Sequence, residues 1–368
     1  MSQVDDTGTE LSVDPSGNVG PAGPGGPATH PAASSALDPS GAANLPPRRA
    51  AWRRTVGTSA FYMGAVLLVL VVAFSIMKPD SFSTAANLRN VTLDVAMLQI
   101  MAVGMTFVII SGGFDISISS ILVFSGVVAA KFMESRADNW GTVIMGTIIC
   151  LACGTAWGIF NGLCIAKLKV PPLITTLGTL GAALGAAQLI TDGSDVRSVP
   201  STMFVINRYR PFGLSWLVWL AIAVTVIFGL ILALTRYGRH TYLIGSNIES
   251  ARRAGINVDR HVITLYALNG GLAGLAGMVS LTRFSTTTIS GHAQDALQVI
   301  TGVVLGGTSI FGGVGTVVGT AIGILIPAVL TNGFVVMNFQ PFLQQVVIGL
   351  VLIAAVYLDQ LKRRRRER

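Results

Sequence analysis

Ten long runs of apolar residues, joined by short polar segments, limit what this chain can fold into more than any other feature. They lie at roughly 57–77, 92–111, 116–133, 141–166, 172–191, 214–234, 260–282, 297–311, 315–335 and 341–358. A helix that crosses a bilayer needs about 20 apolar residues, within a range of about 17–25. Only 297–311 falls short, and it is interrupted by Gly306 and Gly307, with Gly312 and Gly313 just beyond. The chain is 51% hydrophobic and 11% charged, against about 25% charged in an ordinary soluble domain. That much uncharged sequence cannot be hidden in one soluble core. The expectation is an all-α membrane protein of about ten transmembrane helices, with 297–311 broken or re-entrant.

Charge orients these spans. With the N-terminus inside, the cytoplasmic side holds Arg48, Arg49, Arg53, Arg54, Lys167, Lys169, Arg236, Arg239, Arg252, Arg253, Arg260 and the tail Lys362 to Arg366 plus Arg368. The outer side has fewer cations and most of the acids, among them Asp80, Glu134, Asp138, Asp192, Asp195 and Asp295. This asymmetry has the positive-inside sign, and an even number of spans leaves both termini cytoplasmic. It accounts for the net charge of +8 without nucleic acid, for which no aromatic-basic face exists. Residues 1–47 are rich in Gly, Pro, Ala and Ser and lack the apolar core of a signal peptide. They read as a disordered cytoplasmic tail, followed by a membrane domain over 48–361 and a basic cytoplasmic tail over 362–368.

Small residues recur every fourth position at Gly154, Gly158 and Gly162, at Gly181 and Gly185, at Gly270 and Gly274, and at Gly315, Gly319 and Gly323. Such spacing lines one helix face and lets backbones touch. Asn161-Gly162 and Gly178 recur as Asn332-Gly333 and Gly349, each Asn-Gly pair ending a span ahead of prolines. In the topology above, the two units run in opposite directions, which is an inverted internal repeat. Cys150 and Cys153 have CxxC spacing but sit in an apolar run without a second Cys or His pair, so they read as packing residues. His240, His261 and His292 show no metal-ligand grouping. No metal site, catalytic triad or cofactor is expected.

Three segments carry more information. In 235–259, Ser246 followed by Glu249 reads as a capping box and Gly255 as the terminator of a short amphipathic helix. That helix is either a docking element for a cytoplasmic partner or a basic connector. In Ser111-Gly-Gly-Phe-Asp-Ile-Ser117, Asp115 suits the N-terminus of the third span as a cap; an ionisable group so near the membrane is also a functional candidate. The segment 306–315 is glycine-rich without a nearby lysine, and reads as a tight, broken membrane segment rather than a phosphate loop. No GxxxxGK[ST] occurs, so the chain binds no ATP by itself. Uncharged polar residues inside the spans, namely Gln99, Asn161, Thr175, Gln188, Asn269, Asn332 and Gln344, can hydrogen-bond a neutral polyol without burying a charge. With Asp115 they form a candidate substrate path; most would serve equally as interhelical glue.

Taken together, these motifs give the chain a family likeness. Over about 55–360 it resembles the ribose-type monosaccharide permeases of bacterial ATP-binding-cassette importers. SGGFDIS is similar to that family's GGIDLS signature, GRHTYLIGSNIESARRAGINV to its cytoplasmic coupling loop, and VVLGGTSIFGGVGTVVGTAIGILI with Asn332-Gly333 to its C-terminal signature. The resemblance implies a multi-pass protein of the bacterial plasma (inner) membrane that is not itself an enzyme. It implies partners: a cytoplasmic ATPase subunit, an extracytoplasmic sugar-binding protein and a second permease copy, as a homodimer. It also implies that Gly245, Ser246, Asn247, Glu249, Ala251, Arg252, Arg253 and Gly255 belong to the loop that couples to the ATPase. The chain departs from the family where Ala296-Leu297-Gln298 replaces an acidic Glu-Leu-Asp, and where Ser119 replaces a glycine. An ion-driven secondary transporter would need membrane carboxylates, and the spans offer almost none beyond Asp94 and Asp115. A non-transporting scaffold or receptor would need a sizeable folded domain outside the membrane, for which there is no candidate.

Overall fold

The computed structural model describes the backbone of residues 11–13, 19–21 and 48–366, and side chains from Met63 to Gln360 except Asn207 and Leu358. The chain divides into two units, Met1–Arg48 and Arg49–Arg368. In the first, Leu11–Val13 (β1) pairs antiparallel with Val19–Pro21 (β2). The rest of the tail expected over 1–47 lies outside the described residues, as do the side chains of Arg48, Arg49, Arg53, Arg54 and the 362–368 tail.

The second unit is helical. Its elements are α1 (Arg48–Met77), α2 (Pro79–Phe82), α3 (Ala85–Ile110), α4 (Ile118–Glu134), α5 (Trp140–Ala166), α6 (Pro172–Thr191), α7 (Thr202–Arg208) and α8 (Trp216–Leu234). Then follow α9 (Arg236–Ser246), α10 (Ile248–Arg253), α11 (Val258–Phe284), α12 (Asp295–Leu305), α13 (Val317–Gly323), α14 (Leu325–Val336) and α15 (Pro341–Arg366). Among the described residues, six helical stretches are long and apolar enough to cross a membrane: α3, α5, α6, α8, α11 and α13–α14 taken together. Shorter apolar stretches lie at Met63–Met77, Asp295–Leu305 and Pro341–Tyr357. α15 continues to Arg366, past the boundary expected at 361.

α3 is the central helix. Of its apolar window 83% is buried, against 22–28% for α5, α6 and α8. Ile100, Met101, Phe107 and Ile109 are fully enclosed by α8, α11, α12 and α13. The outer helices instead expose Leu189, Ile227 and Leu230. In water such a surface would drive aggregation, whereas lipid chains solvate it without penalty.

Two small-residue ladders interlock between α5 and α11. A methyl group at Gly154 would lie 2.9 Å from the Gly274 amide, and one at Gly158 would lie 2.9 Å from the Ala267 Cα. Only glycine permits this approach. Gly319 and Gly323 meet Gly306 and Gly302 in the same way, joining α13 to α12. The expected packing at Gly181 and Gly185 is absent: a methyl group built on either would meet no neighbouring helix within 4 Å. α6 packs on α4 and buries its opposite stripe, Thr175, Thr179, Ala183 and Ala187.

The short eighth run ends as a helix at Leu305. The Gly307 amide donates to the Val304 carbonyl at 2.9 Å and the Thr308 amide to Val303 at 3.2 Å, with Gly307 at φ +84°. This closes the helix in a left-handed turn. The 11 residues of α12 span about 16 Å, roughly half of the hydrocarbon thickness.

Candidate functional site

The segment after α8 folds into two short helices, α9 and α10, separated by the extended residue Asn247. Ser246 does not cap the second, contrary to the capping-box expectation. It is still helical in α9, and its hydroxyl donates to the Tyr242 carbonyl at 2.8 Å. The cap is Asn247, extended at φ −162°, whose side-chain oxygen accepts the Ser250 amide at 2.9 Å. Asparagine caps as well as serine, so the helix starts one residue later than read. Glu249 is thereby freed from the capping box and pairs with Arg252 at 3.5 Å. Gly255 terminates the helix as expected: at φ +78° it lets the Ile256 amide reach the Ala251 carbonyl at 3.1 Å. Ala251 is buried with Ile244 and Val258, while Ile248 and Arg253 remain exposed.

At Gly245 the three motif segments meet backbone to backbone. The Gly313 amide donates to the Ile110 carbonyl at 2.8 Å. A methyl group on Gly245 would collide with that carbonyl and lie 2.7 Å from the Gly313 nitrogen. One on Gly312 would lie 2.8 Å from the Gly245 carbonyl oxygen and 3.0 Å from the Gly112 nitrogen. Tyr242 ties α9 to the base of α13, donating its hydroxyl to the Gly315 carbonyl at 2.7 Å. Burial pushes its phenol up to about 12, so it remains a neutral donor at physiological pH. Asp359 of α15 accepts the Ser309 hydroxyl at 2.9 Å and the Ile310 amide at 3.3 Å. The turn's amides are thus spent inside the protein, as at Gly312 and Ser309, which leaves no nest for a phosphate.

Of the expected path residues, three come together. Asp115 is fully buried. One carboxylate oxygen accepts the Ser117 amide at 2.9 Å and its hydroxyl at 2.5 Å; the other accepts the Asn269 amide group at 2.8 Å. Asn161 donates to the Ser117 hydroxyl at 2.9 Å. The expectation that Asp115 caps the next helix is therefore corrected: Ser117 occupies the N-cap position of α4 without a side-chain cap bond, and Asp115 instead cross-links it to α11. The other path residues are dispersed. Gln99 donates to Thr225 at 3.1 Å and Asn332 pairs with Asn87 at 2.9 Å. Thr175 is buried, Gln344 half-buried and Gln188 exposed. Gln99, Asn161, Thr175 and Asn269 each hold a buried side-chain oxygen without a hydrogen-bond partner. Buried acceptors are rarely left so.

A second polar cluster escaped sequence reasoning. His292 Nδ1 lies 2.7 Å from Asp295, and its Nε2 lies 2.8 Å from both Ser280 Oγ and Thr288 Oγ1. Spacing of three between His292 and Asp295 was the one signal available; Ser280 arrives from α11 through the fold alone. Near the family's acidic position, Ala296 and Gln298 are buried, and the acid at this end of α12 is Asp295. On the same side, Asp138 accepts the Ser201 amide at 2.7 Å and the Thr202 amide and hydroxyl at 3.0 and 2.7 Å. These bonds hold its carboxyl well below the usual range. Asp195 accepts the Ile289 amide at 2.9 Å, tying the 192–200 segment to 285–294.

Comparison with known proteins places this geometry. Residues 87–356 match the family model described as branched-chain amino acid transport system / permease component. The L-arabinose transport system permease protein AraH of Escherichia coli (strain K12) is 36% identical over 302 residues, covering 82% of this chain and 90% of that protein. The ribose import permease protein RbsC of Bacillus subtilis (strain 168) is 37% identical over 302 residues, 80% of this chain and 91% of that protein. RbsC of Escherichia coli (strain K12) is 36% identical over 304 residues, with 80% and 92% coverage. No solved structure matches the chain significantly. The chain therefore belongs to the branched-chain amino acid transport system / permease component family, as a multi-pass protein of the bacterial inner membrane.

Proposed function

We propose that this chain is the transmembrane permease subunit of an ATP-binding-cassette importer for a monosaccharide or related small polyol. The observation that carries the reading is the set of unpartnered buried oxygens on Gln99, Asn161, Thr175 and Asn269. Uncharged acceptors of this kind suit sugar hydroxyls. Asp115, Gln188, Asn332 and Gln344 complete the proposed path. The sugar class rests on the relatives, which are named for L-arabinose and ribose.

In this reading an ATPase on a separate chain docks on 245–255, and the chain itself hydrolyses nothing. Closure of the ATPases moves α10; the contacts of Gly245 with Ile110 and Gly313 carry that motion to the spans. An extracytoplasmic binding protein delivers substrate, and a second permease copy completes the pore. The membrane domain, over 48–361 between cytoplasmic tails, crosses about ten times with both termini inside. The inverted repeat is supported by Asn161 and Asn332, which each bond a residue near the start of an earlier helix, Ser117 and Asn87.

Charge reversal tests the coupling. Arg253→Glu leaves the fold intact, since the side chain is exposed. In membranes holding chain, ATPase and binding protein, it abolishes sugar-stimulated ATP hydrolysis and uptake. Uptake equal to wild type at equal abundance would refute docking at this loop.

A further inference from the structure

We infer that Ser280, Thr288 and His292, with Asp295 behind the imidazole, form a second hydroxyl-binding station for the transported sugar, on the outer half of the path. The inference rests on the monosaccharide reading above and adds to it a site outside the expected path.

The first argument is placement. Ser280 stands three helical turns, about 16 Å, beyond Asn269 on α11 and on nearly the same face. One helix face therefore carries both the Asp115–Asn269 network and the Ser280–His292 cluster. Between them, α11 and α4 meet at Gly277 and Gly126: a methyl group on Gly277 would lie 3.3 Å from the Gly126 nitrogen. A void of about the size of one water molecule lies at that contact, and Leu122, Gly126, Gly277, Ser280, Thr288 and His292 line it.

The second argument is hydrogen-bond arithmetic. A ring nitrogen has one in-plane hydrogen-bonding direction, whether it accepts or donates. Two hydroxyls, Ser280 Oγ and Thr288 Oγ1, stand 2.8 Å from His292 Nε2. They compete for that one direction, so hydrogen-bonding capacity is left over beside the cavity. Asp295, 2.7 Å from Nδ1, fixes the ring's orientation and presents Nε2 to the hydroxyls. A vicinal diol has the matching chemistry, donor and acceptor on neighbouring carbons. The cluster also resembles a Ser–His–Asp relay by distance, but Ser280 is buried and Nε2 is shared with Thr288, so no free nucleophile is presented.

The third argument is the means of opening. Thr288 and His292 belong to the non-helical segment between α11 and α12, whereas Ser280 is fixed in α11. That segment is held from outside by Asp195, which accepts the Thr287 hydroxyl at 3.1 Å and the Ile289 amide at 2.9 Å. Withdrawal of the segment separates Thr288 and His292 from Ser280 and widens the cavity. In the present conformation the groups turn on one another instead.

The test is uptake of radiolabelled D-ribose, L-arabinose and 2-deoxy-D-ribose by the complete transporter in proteoliposomes, at matched permease abundance. Ser280→Ala and Thr288→Val each lower pentose uptake by about tenfold, the worth of roughly one hydrogen bond. Both variants also shrink the preference for ribose over its deoxy analogue, and Thr288→Ser restores it. Wild-type protein that moves none of the three sugars, and neither D-glucose, D-galactose nor myo-inositol supplied in the same way, overturns the monosaccharide reading, and this station with it. Wild-type uptake combined with an unchanged ribose-to-deoxyribose ratio in both variants, whatever their absolute rates, overturns the station alone.

Discussion

The amide of Gly313 donates to the carbonyl of Ile110 at 2.8 Å, tying the turn after α12 to the end of the central helix. Gly245 lies against both partners of that bond. The proposed docking loop is thus in direct backbone contact with the central helix α3 and with the turn after α12.

Gly245→Ala tests this junction. The added methyl collides with the Ile110 carbonyl, so backbone must shift, and overpacking of this kind costs about 1–3 kcal/mol. Uptake coupled to ATP hydrolysis falls at least tenfold while the protein still inserts. Tyr242→Phe removes the hydroxyl donor to Gly315 and leaves a buried carbonyl unpaired, which costs about 1–3 kcal/mol, read as a drop in the thermal midpoint in detergent.

Replacing the cap of α10 separates its true start from the one read in sequence. Asn247→Ala removes the acceptor for the Ser250 amide and destabilises the short helix by about 1 kcal/mol. Hydrogen exchange at residues 248–253 accelerates about fivefold. Glu249→Ala leaves it nearly unchanged, since that side chain pairs only with Arg252 at the surface.

Asp115→Leu removes the acceptor on which the Ser117 amide and hydroxyl and the Asn269 side chain converge. Buried groups left unpaired cost about 1–3 kcal/mol each. The thermal midpoint falls, and the loss is larger than for Asn269→Ala, which leaves the Ser117 bonds in place. Equal midpoints for wild type and Asp115→Leu would remove the carboxylate from its structural role.

The Asp138 carboxyl sits well below its usual value because the Ser201 and Thr202 groups donate to it. A depressed pKa gives stability that is present above the unfolded value of 3.8 and lost only as pH falls through the folded one. Protection of the 201–203 amides is therefore constant from pH 7 to pH 5. Asp138→Asn lowers it across that whole interval, measured by hydrogen exchange.

Much of the architecture was legible in the chain alone. Every apolar run contains a helix, because uncharged stretches of that length have one way to satisfy their backbone in lipid. The glycine ladders of α5 and α11 were legible for the same reason: spacing of four defines a face. Their partners were not, and so Gly181 and Gly185, read as packing, turn out to face outward. The cap at Asn247 was missed because two good capping residues stand side by side and only backbone torsion separates them.

The class of molecule follows from the chain alone: hydropathy demands a membrane, and ordered motifs demand a permease-like scaffold. The tertiary structure decided which motifs touch. Gly112, Gly245 and Gly312 lie far apart in the chain, and no local propensity brings them together; the close approach arises only when α3, α9 and the turn after α12 are packed. The same holds for Ser280 and His292, whose pairing depends on the path taken by an irregular segment. Local composition sets periodicity and burial, whereas long-range hydrogen bonds depend on packing angles that no short window encodes.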